Sequence, residues 1–292
     1  MEASTHSLVG GRDWGPAQDW RRLLSAIRRG LSTCGAAAVA QGQHASATAL
    51  RSRQVRPRRI AVIGSTGGVG TTTAAALLAS VLAAARDDQT LLLTIHSDGC
   101  DVTARLGIPH APSVTEVLAG LRRHGRIPPT PVTRSGLRVL SAPPPGSTAV
   151  ESGLAELLDV AASGHASVVV DAGVASRIGE LTTFAELFDT VVLVCATSAD
   201  AVAATTAVLA RWRAQLPART GTRLILIPVR SRAGTGGNGS DAVELLLAGG
   251  VPVHVMGHDR DLARGATIDL STVSDPSLTT ALELGADIMG HR

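Results

Sequence analysis

The chain of 292 residues is 45% apolar and 17% charged, enough to bury the core of one large domain with an extension, and no apolar run reaches the ~20 residues that a membrane-spanning helix needs. Its basic residues are 27 arginines without a single lysine, which points to a coding bias toward arginine as much as to selection. Three widely spaced cysteines, Cys34, Cys100 and Cys195, exclude a disulfide framework and a zinc knuckle and read as small buried apolar residues.

Charge is unevenly placed. Residues 1–59 hold ten arginines against Glu2, Asp13 and Asp19, whereas residues 60–292 hold seventeen arginines against twenty-one acids. The sequence pI near 9.3 is therefore a property of the N-terminal segment. That N-terminus lacks the basic-then-apolar order of a secretory signal, so a cytoplasmic protein is expected, at most peripheral at the inner face of a membrane.

Residues 1–34 are read as a basic amphipathic helical segment. Within it, DWRRLLSAIRRGL (19–31) places Trp20, Leu23, Leu24, Ile27 and Leu31 on one face, with Arg21, Arg22, Arg28 and Arg29 around it. Such a stripe packs on the domain or on a partner protein with its arginines solvated. Alternatively it lies in a membrane interface beside anionic headgroups, where so few apolar residues give only marginal binding. Salt-sensitive, sequence-independent contact with DNA is the less favoured alternative, since neither a helix-turn-helix nor interleaved aromatics accompany the arginines. Residues 35–57, rich in Ala, Ser and Gln over their first part, are expected to be a loose linker. Residues 58–292 form the main domain.

From Ile60 onward short β-branched or leucine runs alternate with helical patterns, the order of an α/β, doubly wound, mostly parallel sheet. Strands are expected at 59–64, 90–95, 137–142, 166–172, 189–196, 223–229 and 251–256, and their unbroken apolar character implies burial on both faces. Helical periodicity is carried by TTTAAALLASVLAAARD, SVTEVLAGLRRHG, AVESGLAELLDVAAS, SADAVAATTAVLARWRAQ, GSDAVELLLAGG and the closing PSLTTALELGADIMGHR.

The first strand runs into STGGVGTTT (65–73), a glycine-rich turn that opens a helix. Gly67, Gly68 and Gly70 let the backbone bend so that successive N–H groups converge on an anion, and the helix N-terminus adds its positive dipole end. A plainer reading is a strand-to-helix turn that merely needs glycine. Asp171, at the end of the apolar strand SVVVDAG, is either a metal-holding carboxylate or part of a strand-terminating turn. His96 reads as polar surface or as a base, and Asp98 and Asp101 as caps of the next turn. His254 and His258 sit four apart without helix or carboxylate partner, a poor pattern for a metal.

From residue 59 to about 290 the chain resembles the MinD/ParA family of deviant-Walker ATPases, whose loop runs Lys-Gly-Gly-x-Gly-Lys-Thr-Thr. Thr66, Gly67, Gly68, Val69, Gly70, Thr71, Thr72 and Thr73 match it at every glycine and at the last two threonines, but the two lysines fall on Thr66 and Thr71. The resemblance implies that the lysine replaced by Thr71 would contact the β- and γ-phosphates. It implies that the one replaced by Thr66 would reach nucleotide across a dimer, and that Thr72 and Asp171 would hold magnesium. The family's Asp-x-Asp-Pro aspartates and proline fall on Thr94, His96 and Ser97, so the catalytic acid is missing. On the adenine side, Pro228 and Gly257 stand near positions where the family carries asparagine and proline.

Drift in a lysine-free chain would have turned lysine into arginine, and threonine at both places implies altered function. A charged hydrogen bond is worth roughly 1.5–3 kcal/mol, so losing two weakens nucleotide binding by a few hundredfold or more. The reading is a pseudo-ATPase that requires no cofactor and binds ATP with magnesium at low affinity or not at all. It would act as a regulatory or scaffolding protein with a protein partner, such as an intact homologue in a homo- or heterodimer. An ATPase using arginine in place of lysine is the alternative. FDTVVLVCATSADAV and HDRDLARGATIDLSTVS also resemble actinobacterial MinD-like proteins, including those encoded with type VII secretion systems, whose N-termini carry a Trp/Arg-rich segment.

Overall fold

The computed structural model describes residues 46, 48–52, 54–86, 88–96, 102–125, 127–147, 149–215, 221–230, 244 and 250–290. The stripe of Trp20, Leu23, Leu24, Ile27 and Leu31 with its arginines lies outside the described residues. So do Ser97, Asp98, Cys100 and Asp101, and all but two residues of the helix expected over 239–250.

Six strands form one parallel sheet: β1 (Arg58–Gly64), β2 (Thr90–Thr94), β3 (Arg138–Leu140), β4 (Ser167–Val174), β5 (Thr190–Ala196) and β6 (Arg223–Val229), in the order β3-β2-β4-β1-β5-β6. Two-residue alternation divides their side chains between two layers. Ile60, Val62, Leu92, Val169, Val192 and Ile225 face α1 (Thr71–Ala85) and the C-terminal helix, Asp275–Gly290. On the other side, Ala61, Ile63, Leu91, Leu93, Val168, Val170 and Leu193 pack against three further helices, Val114–His124, Ala149–Gly164 and Ala199–Gln215. Strands covered on both faces explain why they read as continuous apolar runs.

Helix α1 is enclosed on nearly every side, with only Thr73 among its residues not buried. Its alanines let the sheet and the C-terminal helix approach it together, so it shows little amphipathic pattern. Two short helices follow in the connections, α2 (Val102–Arg105) after β2 and then α3 (Val114–His124). Ser113 caps α3: its Oγ accepts from the Glu116 N–H at 3.2 Å, and its own N–H donates to Glu116 Oε2 at 2.7 Å. This reciprocal pair satisfies two helix-end donors. Ser113→Ala is expected to cost about 1 kcal/mol, read as a lowered midpoint in thermal unfolding.

The seventh expected strand, 251–256, is corrected. It runs beside β6 but joins it only through two parallel bridges, Leu226 with Val253 and Val229 with Met256. The backbone accounts for the break. Leu226 N–H donates to Pro252 O, His254 N–H to Leu226 O, Met256 N–H to Pro228 O and Arg230 N–H to Met256 O, but Pro228 has no N–H with which to continue the ladder between them.

The linker reading is corrected over part of its length. Residues 48–51 are helical, and Leu50 is completely buried. It lies against Gly285, where a β-carbon would come within 3.0 Å of Leu50 Cδ2, and within the same cluster as Leu82. Buried Arg86, at the end of α1, donates to Leu50 O at 2.5 Å and Ser52 O at 3.1 Å while pairing with Asp88. Gln54 Nε2 donates to Met289 O at 3.0 Å. This stretch therefore enters at the C-terminal ends of α1 and the last helix, the end of the sheet opposite the glycine loop. No described helix is long and apolar enough to cross a membrane.

Candidate functional site

The glycine loop sits where β1 gives way to α1, and the sheet anchors its start: Ser65 N–H donates to Val194 O at 2.8 Å. Gly64 is required by contact, since a β-carbon there would stand 2.3 Å from Thr71 Oγ1 and 3.0 Å from Val69 Cγ2. The Thr71 side chain thus folds back over the first turn of the loop. Gly68 and Gly70 have φ of 77° and 94°, left-handed values that favour glycine. Gly67 shows no such need. Gly70 is the N-cap of α1, offers no capping side chain, and is followed by no acid in the first turn. The turn therefore keeps the features that suit an anion. Thr71 and Thr72 are buried, and Thr66 and Gly67 lie at the surface-facing part of the loop.

No residue of 65–73 carries a charge, but the structure brings an arginine to its edge. Arg105, the last residue of α2, is 7% exposed and donates from Nη2 to Thr73 Oγ1 at 2.5 Å and Leu262 O at 2.9 Å, and from Nη1 to Ala266 O at 3.0 Å. Its carbonyl accepts from Ile268 N–H at 2.7 Å. One guanidinium fork ties α2 and the first turn of α1 to the 262–268 segment. The chain pattern does not single out Arg105, because two of its three partners are carbonyls more than 150 residues away and the third is a hydroxyl 32 residues away.

Asp259 organises the same C-terminal segment. Its Oδ1 accepts from the N–H groups of Asp261 and Leu262, and its Oδ2 from the N–H and hydroxyl of Ser274. Burial pushes the carboxyl upward, but the Ser274 hydroxyl and the Leu262 and Ser274 N–H groups outweigh it and hold the pKa below the usual value. A depressed folded pKa contributes stability that is fully present above the unfolded carboxylate value, about 3.9, and is lost as pH falls through the folded value. Asp259→Asn should therefore flatten the acid limb of the stability profile below about pH 4, measured by denaturant unfolding across pH.

Asp171 lies within β4, three residues before its end at Val174, and is fully buried, so the strand-terminating turn of the sequence reading is corrected. The adjacent strand β2 pairs Thr94 with Asp171 in register, so both face the layer that holds α1. Oδ1 accepts from Gly173 N–H at 3.3 Å, and Oδ2 lies 3.1 Å from His96 Nε2. The latter contact is one of proximity, since its angles are not those of an aligned hydrogen bond. The hydroxyl of Thr94, in register with Asp171, is buried without a hydrogen-bond partner among the described residues, as are Asp171 Oδ2 itself and, at the start of the loop, the Ser65 hydroxyl. His96 and Asp171, read apart as a surface or base histidine and a metal carboxylate, are thus brought together.

This arrangement does not fit magnesium held through water at Asp171. A bridging water would stand roughly 2.7–3.0 Å from a carboxylate oxygen, and His96 Nε2 already takes that shell. Among the described residues no group of three His, Cys, Asp or Glu side chains is placed to hold a metal. His254 does have a carboxylate partner, contrary to the sequence reading. Its Nε2 lies 3.1 Å from Asp287 Oδ2, while Arg223 Nη2 lies 2.7 Å from Oδ1. The trio ties the last helix to β6 and the 251–256 segment. Cys195 is buried as expected, which pushes its thiol up to about 11.

No family model and no curated protein matches the chain. Solved structures do match. A ParA family ATPase from Chlorobium tepidum is 20% identical, covering 78% of this chain and 98% of its own, with a TM-score of 0.58. The MinC:MinD cell division protein complex of Aquifex aeolicus is 16% identical over 80% of this chain and 97% of its own, at 0.59. Apo McdA of Cyanothece is 18% identical over 80% and 99%, at 0.60. The parallel six-stranded sheet with its glycine loop at the β1–α1 junction has the ParA/MinD P-loop fold.

Proposed function

We propose that this domain is a pseudo-ATPase, a ParA/MinD-type fold retained as a regulatory or scaffolding platform, with hydrolysis lost and nucleotide binding weak or absent. One observation carries the reading: the loop keeps its left-handed glycines and open helix start, while the arginine beside it is committed to Thr73 Oγ1 and two carbonyls. Thr66 and Thr71 leave the loop with no charge of its own. A nucleotide triphosphate would meet backbone dipoles and hydroxyls but no free guanidinium from Arg105.

The partner in this reading is a protein, such as an intact homologue in a dimer, which would supply the charge missing at Thr66. The setting is cell division, chromosome positioning or secretion. Support for the first comes from a neighbour described as a cell division protein complex, and another neighbour is described as a putative plasmid partition protein. Residues 19–31 provide a second contact, to a partner or to the inner face of a membrane.

A divergent active ATPase is the second reading, favoured by the placement of Arg105 against Thr73, and it requires the guanidinium to leave its carbonyls for phosphate. Phosphate release from ATP with magnesium separates the two. The pseudo-ATPase reading expects no release above a protein-free blank. Turnover that disappears in Arg105→Ala would establish the second reading instead.

A further inference from the structure

We infer that His96 is the resident occupant of the Asp171 carboxylate and keeps divalent cations away from the loop, so that this site is closed to metal by the protein's own side chain. The inference rests on Asp171 standing at the metal-side position of the fold, as the pseudo-ATPase reading also takes it to do. It goes further by naming the group that closes the position.

Three contacts place the imidazole. Its Nε2 lies 3.1 Å from Asp171 Oδ2. Its ring rests on Gly173, where a β-carbon would stand 2.9 Å from His96 Cγ, 3.0 Å from Cδ2 and 3.1 Å from Cβ. Gly173 also has a φ of 70°, so it is suited to glycine by conformation as well as by space. The histidine lies two residues beyond the end of β2, whose Thr94 is paired in register with Asp171, and the intervening Ile95 N–H donates to Asp171 O at 3.0 Å. The ring is therefore held by strand pairing below it and by the absent side chain of Gly173 beside it.

Asp171 is a fully buried carboxylate whose aligned donor is Gly173 N–H and whose Oδ2 has no hydrogen-bond partner among the described residues, so removing the ring would open that oxygen beside the Thr94 hydroxyl of the paired strand, which also has no partner among them. Hydroxyl and carboxylate oxygens are the ligands that hard divalent cations prefer. An uncompensated buried charge is costly and is relieved by a cation that reaches it. His96 and a hydrated metal are thus alternative occupants of one volume.

The test uses Mn2+ alone, without nucleotide, and follows free Mn2+ by electron paramagnetic resonance during titration of the full-length protein. Because ATP is absent, failure here is distinguishable from failure of the pseudo-ATPase reading. Wild type should show no Mn2+ uptake that Asp171→Asn removes. His96→Ala should gain a site on the order of tenfold tighter or more, and the gain should vanish when Asp171→Asn is added. Gly173→Ala, which crowds the ring while keeping the His96 and Asp171 side chains and strains the Gly173 backbone as well, provides a second route to the same gain in folded protein. Asp171-dependent uptake by wild type would overturn the inference, and so would the absence of any gain in folded His96→Ala or Gly173→Ala protein.

Discussion

Thr71→Lys is expected to raise the affinity for ATP by roughly 10- to 100-fold, because it returns one charged hydrogen bond of about 1.5–3 kcal/mol at about 1.4 kcal/mol per tenfold. The rest of the loop is in place to receive it. Gly68 and Gly70 hold left-handed conformations, and α1 begins without a competing cap or acid. In wild type the short, uncharged Thr71 side chain turns back onto Gly64. Calorimetric titration of ATP into wild type and variant reads the change directly. An enzyme that had already compensated with an arginine would gain little, so an unchanged affinity would favour the Arg105 alternative. With His96 still against Asp171, the gain should not depend on magnesium.

Leu50→Ala should cost about 2–5 kcal/mol of stability, the range for emptying a fully buried leucine site. The side chain is inaccessible to solvent and shares the core layer of α1 and the last helix, with its carbonyl fixed by Arg86. Denaturant unfolding gives the magnitude. Limited proteolysis should in addition show faster cleavage near the exposed Arg51 and Arg56, since the anchor for that stretch would be gone. A loose linker would respond otherwise, with a change within about 0.5 kcal/mol and no altered cleavage.

The outcome for Leu50 shows where sequence pattern loses its hold. The six strands were legible because burial on both faces leaves unbroken runs such as AVI at 61–63 and SVVV at 167–170. The stretch 48–51 was not, because one leucine among Ala, Ser and Thr has no periodicity, and only the docking partners Gly285 and Arg86 give it a place. The 251–256 segment failed as a strand for a reason lodged in its neighbour, since Pro228 on β6 withholds the donor that a ladder needs.

At the site, local chemistry was readable and juxtaposition was not. The glycines and threonines of 65–73 have the order of a phosphate loop, set between a strand and a helix as such a loop is. The contact of His96 with Asp171 depends on β2 and β4 being neighbours in the sheet, a fact of topology that spacing along the chain does not carry. Arg105 is hidden in the same way, since a four-residue helix gives no amphipathic signal and its partners lie on α1 and the 262–268 segment. His254 was discounted for want of a carboxylate, and Asp287 on the last helix supplies one.

Calorimetric titration of ATP with magnesium into the full-length wild-type protein, carried to millimolar nucleotide, decides whether the glycine loop binds nucleotide weakly or not at all, as proposed. Binding in the millimolar range or no heat is expected, with an unchanged thermal midpoint. A dissociation constant below about 10 μM, near −7 kcal/mol, would contradict it.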